Sequence, residues 1–358
     1  MRKTLAFWML FFAFVANAQS LKTDSTLVPK LKKVKFGPLF KSDDTLIFTV
    51  FANLKPLLKD RGDDPKNHWG MVKYINHKNV LVNIPMKVKV RGNFRRMVQN
   101  CSFPPLLLDF SKKKKDKSIF KKQNKLKLVT HCLKNDYIME EYLVYKIYNL
   151  ITENSFKARI ANVTYEDSSG KQASQTRLAF LIEDDEDLGK RIHTKLMKNV
   201  KLRQNQVDTL KMATVSVFEY LIGNTDWSVT FMHNIKLYQP KGKMPIPIPY
   251  DFDHSGIVDA HYAKPAEQLI EINSVRERLY RGYAYSPEVF SQVFEKFKAI
   301  KPQIYALYKD NIELESWYIK YTLKYLDDFY KDIENPKTVK RVFIEQGFKN
   351  MEAGGVQI

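Results

Sequence analysis

The sequence predicts an α+β protein in which a β-rich first lobe, residues 44–183, is followed by an α-rich second lobe, residues 184–358. Three observations predict it. Apolar residues alternate with polar ones in several short runs before residue 130. The apolar period changes to a helical one at Asn135. From 187 onward helical segments dominate, interrupted mainly by loops and short strands at 224–253. A cleft between two unlike lobes is a common place for a ligand.

Taken in order, Leu46-Ile47-Phe48-Thr49-Val50 is a compact β-favouring run. Residues 79–91 place Val80, Val82, Ile84, Met86, Val88 and Val90 on one face, with Lys87 and Lys89 on the other. That is one half-buried strand, or two strands broken at Pro85. Leu106-Leu107-Leu108-Asp109-Phe110 and Lys125-Leu126-Lys127-Leu128-Val129 add two more strands to a largely antiparallel region. Residues 136–151 fit a helix whose first turn carries Asp136, Glu140 and Glu141. Residues 160–165 and 177–183 flank Asp167-Ser168-Ser169-Gly170-Lys171 and read as a hairpin. An amphipathic helix follows over 207–222, and an aromatic-rich helical tail over 287–349. There is no internal repeat.

Residues 1–18 read as a cleavable secretory signal: Met1-Arg2-Lys3, an apolar run to Val15, and Ala16-Asn17-Ala18. The run falls short of the roughly 20 residues that span a bilayer. Cleavage after Ala18 leaves a mature chain from Gln19 in the periplasm or outside the cell. Residues 19–43, with Pro29 and Pro38, read as a linker or arm. No later segment is long and apolar enough to be a membrane helix.

The formal charge is +20, or +18 once Arg2 and Lys3 are removed. Such a charge attracts anions. Export and the lack of any usual nucleic-acid motif argue against nucleic acid. Phosphate, an acidic polymer or an anionic membrane face remain as partners. The densest run, Lys112-Lys113-Lys114-Lys115-Asp116-Lys117, reads as a solvated loop. Cys101 and Cys132 can form one disulfide in an oxidising compartment, or remain two buried thiols. Their spacing is wrong for zinc.

Chemistry concentrates in two segments. In Glu219-Tyr220-Leu221-Ile222-Gly223-Asn224-Thr225-Asp226-Trp227 a helix ends and a polar loop follows, leading to His233-Asn234-Ile235. In Ile246-Pro247-Ile248-Pro249-Tyr250-Asp251-Phe252-Asp253-His254 an apolar strand delivers two carboxylates into a loop. Phosphoryl transfer needs one carboxylate to orient the attacking hydroxyl, and an amide oxygen with another carboxylate to hold magnesium against phosphates. The bland readings are turn capping by Asn224 and Asp226, and surface or calcium-binding roles for Asp251 and Asp253.

With Val88-Lys89-Val90-Arg91-Gly92-Asn93, Phe180-Leu181-Ile182-Glu183, Asn224-Thr225-Asp226-Trp227 with Asn234, and Pro249-Tyr250-Asp251-Phe252-Asp253, the chain resembles the spore-coat-protein-H-like (CotH) kinases. The resemblance implies a two-lobed protein-kinase-like fold using ATP with Mg2+ or Mn2+. It implies Asp226 as catalytic base, with Asn234, Asp251 and Asp253 at the metal. It also implies Lys127 as the phosphate-contacting lysine, with Lys125 on the same strand face. Glu141 is then the partner of Lys127, with Glu140 the alternative; Arg91 faces the phosphates, and Glu183 stands in the linker between lobes.

On this reading the protein is an exported enzyme that phosphorylates a hydroxyl, most simply on a protein. Transfer of another group (adenylyl, glutamyl) is compatible with it. The competing class is a non-catalytic module that binds an acidic polymer or envelope component. The Val275-Arg276-Glu277-Arg278-Leu279-Tyr280-Arg281 segment reads as an anionic-substrate site or an ordinary charged helix.

Overall fold

A computed structural model describes residues 37–110, 118–132 and 136–354. The segment expected to be a signal (residues 1–18), most of the expected arm (19–43) and the Lys112–Lys117 run lie outside the described residues.

Seven strands form a closed barrel in the order β1 (Leu46–Ala52), β2 (His68–Ile75), β3 (Leu81–Val90), β4 (Leu106–Phe110), β5 (Lys125–Val129), β7 (Gln175–Ile182) and β6 (Ala158–Asp167). All neighbours pair antiparallel except β6 and β1, whose parallel register runs from Leu46↔Ala161 to Ala52↔Asp167 and closes the barrel. Inward residues such as Phe48, Val50, Val72, Val88, Leu108, Leu126, Val163 and Leu181 fill the interior. This is the period-2 burial that their alternation predicts.

β3 runs unbroken through Pro85. Among the described residues β2 flanks it there, with Met71 opposite Pro85, and pairing with β4 is described from Met86 onward. Gly70 in β2 lets Phe51 and Val88 approach: a Cβ there would lie 3.2 Å from the Phe51 carbonyl and 3.1 Å from Val88.

The predicted two-lobed layout is therefore corrected. The β-rich part is a closed mixed barrel with its own core, unlike the first lobe of a kinase. Alternation shows that one face of each strand is buried; it carries no information on whether the sheet closes. Closure rests on the β6–β1 pairing, between strands more than 100 residues apart.

Helix α2 (Asp136–Ile151) packs outside the barrel on β6 and β7. Its apolar residues, with Ile160, Phe180 and Ile182, belong to the same core as the later helices. Those are α4 (Thr209–Ile222), α5 (Pro287–Ala299), α6 (Lys301–Lys309) and α7 (Ser316–Glu334). Here α1 is Leu54–Lys59 and α3 is Asp185–Arg191. A small sheet, β10 (Ile246–Pro249), β9 (Ile235–Pro240) and β8 (Thr194–Leu196), carries the two chemistry-bearing loops. Among the described residues no helix is long and apolar enough to cross a membrane.

Candidate functional site

Helix α4 ends at Gly223, whose φ of 66° is left-handed and whose missing Cβ would fall 2.0 Å from the Tyr325 hydroxyl oxygen. A glycine is what such a helix end requires. The chain then turns through buried Asn224, which donates to Glu219 (2.9 Å) and accepts from the Asp226 backbone N–H (3.0 Å). Burial pushes the Glu219 carboxyl well up.

Asp226 and Asn234 are eight residues apart yet adjacent in space. The intervening residues fold into a tight turn closed by two backbone hydrogen bonds between Ser228 and His233. Asn234 Nδ2 then donates to the Asp226 carbonyl (2.8 Å) and to Oδ2 (3.0 Å), while His233 Nε2 lies 2.8 Å from Oδ1. Burial alone would raise the Asp226 pKa. The His233 hydrogen bond and charge, with His254 and Arg281, hold it below the ordinary carboxylate value.

The second loop is fastened to the first. The Tyr250 N–H donates to the Asn234 carbonyl (3.0 Å), continuing the β9–β10 ladder. Gly256 and Ile257 donate to the carbonyls of Gly223 and Ile222. A Cβ on Gly256 would fall 2.2 Å from the Val275 carbonyl oxygen. Between these anchors Phe252 is fully buried against Tyr145 and Phe218. Asp251 takes a left-handed φ of 64°, and its N–H donates to the Tyr145 hydroxyl (3.0 Å).

The Asp251 side chain opens to solvent on one side, into a crevice lined also by Arg91, Lys127, Tyr145, Phe156 and Tyr250. Among the described residues nothing donates to its carboxylate, and the Arg91 guanidinium makes no hydrogen bond. Crowding by protein, with Asp253 and Asp226 nearby, raises the Asp251 pKa against the pull of Arg95 and Arg91.

Asp253 has a different role. Arg95, from the loop after β3, bonds Asp253 Oδ2 at 2.9 Å and Glu141 Oε2 at 2.6 Å, and the Tyr262 hydroxyl donates to Asp253 at 3.0 Å. All three charged groups are buried. Burial, opposed by Arg95 but reinforced by Asp253 and Asp251, pushes Glu141 up to about 7.

Lys127 does not meet Glu141. Its Nζ bonds Asp185 Oδ1 at 2.7 Å at the start of α3 and lies over Phe156 and Tyr250. Burial lowers the Lys127 pKa against the pull of Asp185. The crevice holds only about 10 Å3, but Asp185 also borders a groove of about 620 Å3 lined by Lys125, Asp184, Met197, Met232 and Lys236. The Lys127–Asp185 pair stands between the two spaces.

Thus Arg91, Lys127 and Asp251 share one crevice, the Asp226–Asn234 pair adjoins it, and Lys125 borders the neighbouring groove. Glu183 is held in a buried two-fold ion pair with Arg191 (2.8 and 2.9 Å), and Glu140 lines a cavity elsewhere. The three arginines of 275–281 lie outside any helix. Arg278 donates to the Tyr220 and Leu221 carbonyls at the end of α4, Arg281 to Thr225 and Trp227, and Arg276 to Gly256, so they fasten both loops. Sequence reasoning missed Arg95, Asp185 and His233. Only His233, next to Asn234, carried a local signal.

No family model and no curated protein matches this chain. The resemblance to the spore-coat-protein-H-like kinases is accordingly not upheld, since the barrel topology departs from that layout and no family match supports it. Its motifs are short loop segments after a helix or strand, where Asn, Asp and Gly recur for turn geometry alone.

Among the described residues no group of three or more His, Cys, Asp or Glu is arranged to hold a metal. The donors present fit a narrower case. Magnesium bound with a nucleotide takes one or two protein oxygens and fills the rest with phosphate and water. Asp251, whose carboxylate receives no donor among the described residues, and the side-chain oxygen of Asn234 are the residues that would supply that share. Asp253, committed to Arg95 and Tyr262, fits less well.

Proposed function

We propose that this site binds nucleotide phosphates with magnesium or manganese and transfers a phosphoryl group to a hydroxyl, on a protein or another acceptor. One observation carries the reading: a carboxylate without a donor, Asp251, shares a crevice with the cations Arg91 and Lys127, beside the Asp226–Asn234 pair. Arg91 and Lys127 attract the phosphates, and Lys127 exchanges Asp185 for a phosphate oxygen as the crevice opens toward the groove. Asp251 and Asn234 would hold the ion, which would offset the negative charge of the phosphates. The Asp226 side receives the hydroxyl. Export, as the first 18 residues suggest, is part of the proposal; the mass of the mature chain should then begin at Gln19.

Thermal unfolding with ATP and magnesium tests it. Together they should raise the melting temperature, neither alone should match the effect, and Asp251→Ala should abolish it. A second reading, a non-catalytic anion-binding module, is favoured by the narrowness of the crevice. It requires indifference to ATP and salt-sensitive binding of polyanions.

A further inference from the structure

A second cleft lies on the outside of the barrel and shares no lining residue with the Arg91–Lys127–Asp251 crevice. It encloses about 580 Å3 between the outer faces of β6 and β7, which supply Asn162 and Arg177, the first turns of α2 and α7, and the loop bearing Asp259. That volume falls in the range of small-ligand pockets, about 300–1,000 Å3. Two large aromatic rings stand in the open beside it. Trp317 is 65% exposed and Tyr321 41% exposed, although tryptophan is ordinarily well buried. They are four residues apart on α7 and so share one face of the helix, with ring centroids 6.3 Å apart. The Arg276 guanidinium lies 3.7 Å from the Tyr321 centroid and supports that ring from one side.

The polar groups around these rings are uncommitted. Among the described residues the side chains of Asn162, Asp259, Glu313 and Glu315 make no hydrogen bond, and Arg177 makes one, to the adjacent Thr176 carbonyl. Donors (Asn162, Arg177) and acceptors (Asn162, Asp259, Glu313, Glu315) therefore stand together beside aromatic faces. A flat apolar ligand would bury these groups without partners, at a cost of about 1–3 kcal/mol each. An acidic polymer, which the overall charge of +20 would attract, meets three free carboxylates here. A simple cation meets the Arg177 guanidinium and gives the Asn162 amide N–H groups no acceptor. A pyranose answers the whole set. Its C–H face lies on an aromatic ring, and its hydroxyls, each both donor and acceptor, surround the edge.

We propose that this cleft binds a neutral oligosaccharide. Trp317 and Tyr321 form the platform on which the sugar rings stack, and Asn162, Arg177 and Asp259 hydrogen-bond their hydroxyls. The carboxylates that face the cleft exclude acidic sugars, so its preference opposes that of the basic surface as a whole. The site stands whether or not the Asp251 crevice transfers phosphate.

Titration calorimetry of the full chain tests it with cellohexaose, maltohexaose and a hexamer of N-acetylglucosamine, and with polygalacturonate and pentalysine as charged probes. At least one of the three neutral sugars should bind with a Kd of about 1 mM or tighter and quench tryptophan fluorescence. Trp317→Ala, a change at an exposed position, should leave the urea midpoint in place and weaken that binding about tenfold or more. Asn162→Ala should weaken it several-fold. Trp69→Ala, which removes the exposed tryptophan of β2, should leave it unchanged. Binding of none of the neutral sugars, or equal binding by Trp317→Ala, overturns the proposal. Binding of pentalysine or polygalacturonate without any neutral sugar also overturns it and assigns the cleft to a charged partner.

Discussion

Arg95 and Asp253, 158 residues apart in sequence, meet in a buried ion pair of 2.9 Å that also takes in Glu141 at 2.6 Å. One guanidinium thereby joins the loop after β3, helix α2 and the loop after β10. Removing one partner of a buried pair leaves uncompensated charge, at a cost of about 3–5 kcal/mol. Arg95→Ala should lose stability on that scale in urea denaturation. Arg95→Lys should also lose much of it, since an ammonium cannot match a fork aimed at two carboxylates. A loss near zero would mean that water already serves these groups.

Glu141 should make stability depend on pH. Its folded pKa of about 7 lies above the ordinary 4.5. The folded chain therefore keeps a proton that the unfolded chain releases between those values. This contribution is complete below pH 4.5 and is lost as pH rises through 7. The stability difference between the wild type and Glu141→Gln, measured by urea midpoints, should change across that window and level off above it.

Gly223 sets the exit from α4 into the Asp226 loop. Gly223→Ala combines a left-handed φ with a clash against the Tyr325 hydroxyl, and should cost roughly 2–4 kcal/mol. Adding Tyr325→Phe removes the nearest atom but leaves the backbone penalty, so the double variant should recover part of the loss. A double-mutant cycle in guanidinium reads this coupling directly.

Cys101 and Cys132 are joined, which settles the alternative left open by their spacing. The bridge ties the end of the Arg95-bearing loop to the segment after β5 and encloses a sequence separation of 31 residues. Loop-entropy reasoning assigns such a closure roughly 3–4 kcal/mol. The Cys101→Ser, Cys132→Ser chain should unfold at correspondingly lower denaturant, and reductant should bring the wild type to the same midpoint. Arg61, which donates to the Cys101 and Ser102 carbonyls, should keep the loop in place in the folded state.

Much of the local structure was legible in the residues. β1, β3, β4, β5 and the β6–β7 hairpin fall where alternation marks them, and α2 and α4 where the apolar period does. β2 was not, because Gly70 interrupts its apolar pattern and its value appears only when Val88 closes over it. Both loops of the candidate site were visible as polar breaks after apolar elements. Their partners were not: Lys127 binds Asp185 rather than Glu141, and Glu141 binds Arg95, because a long cation can choose among carboxylates that only packing brings within reach.

By itself the sequence determined which faces of β1, β3, β4 and β5 are buried, that α2, α4 and the β6–β7 hairpin lie where they do, and that Asp226, Asn234 and Asp251 lie on loops, since those properties follow from side-chain periodicity and turn chemistry within a few residues. Only the tertiary structure decided that seven strands close on themselves, that a six-residue turn returns Asn234 to Asp226, and that Asp251 faces Arg91 and Lys127. Each of those depends on contacts between distant segments, whose free energy comes from shared burial and leaves no mark on either segment alone.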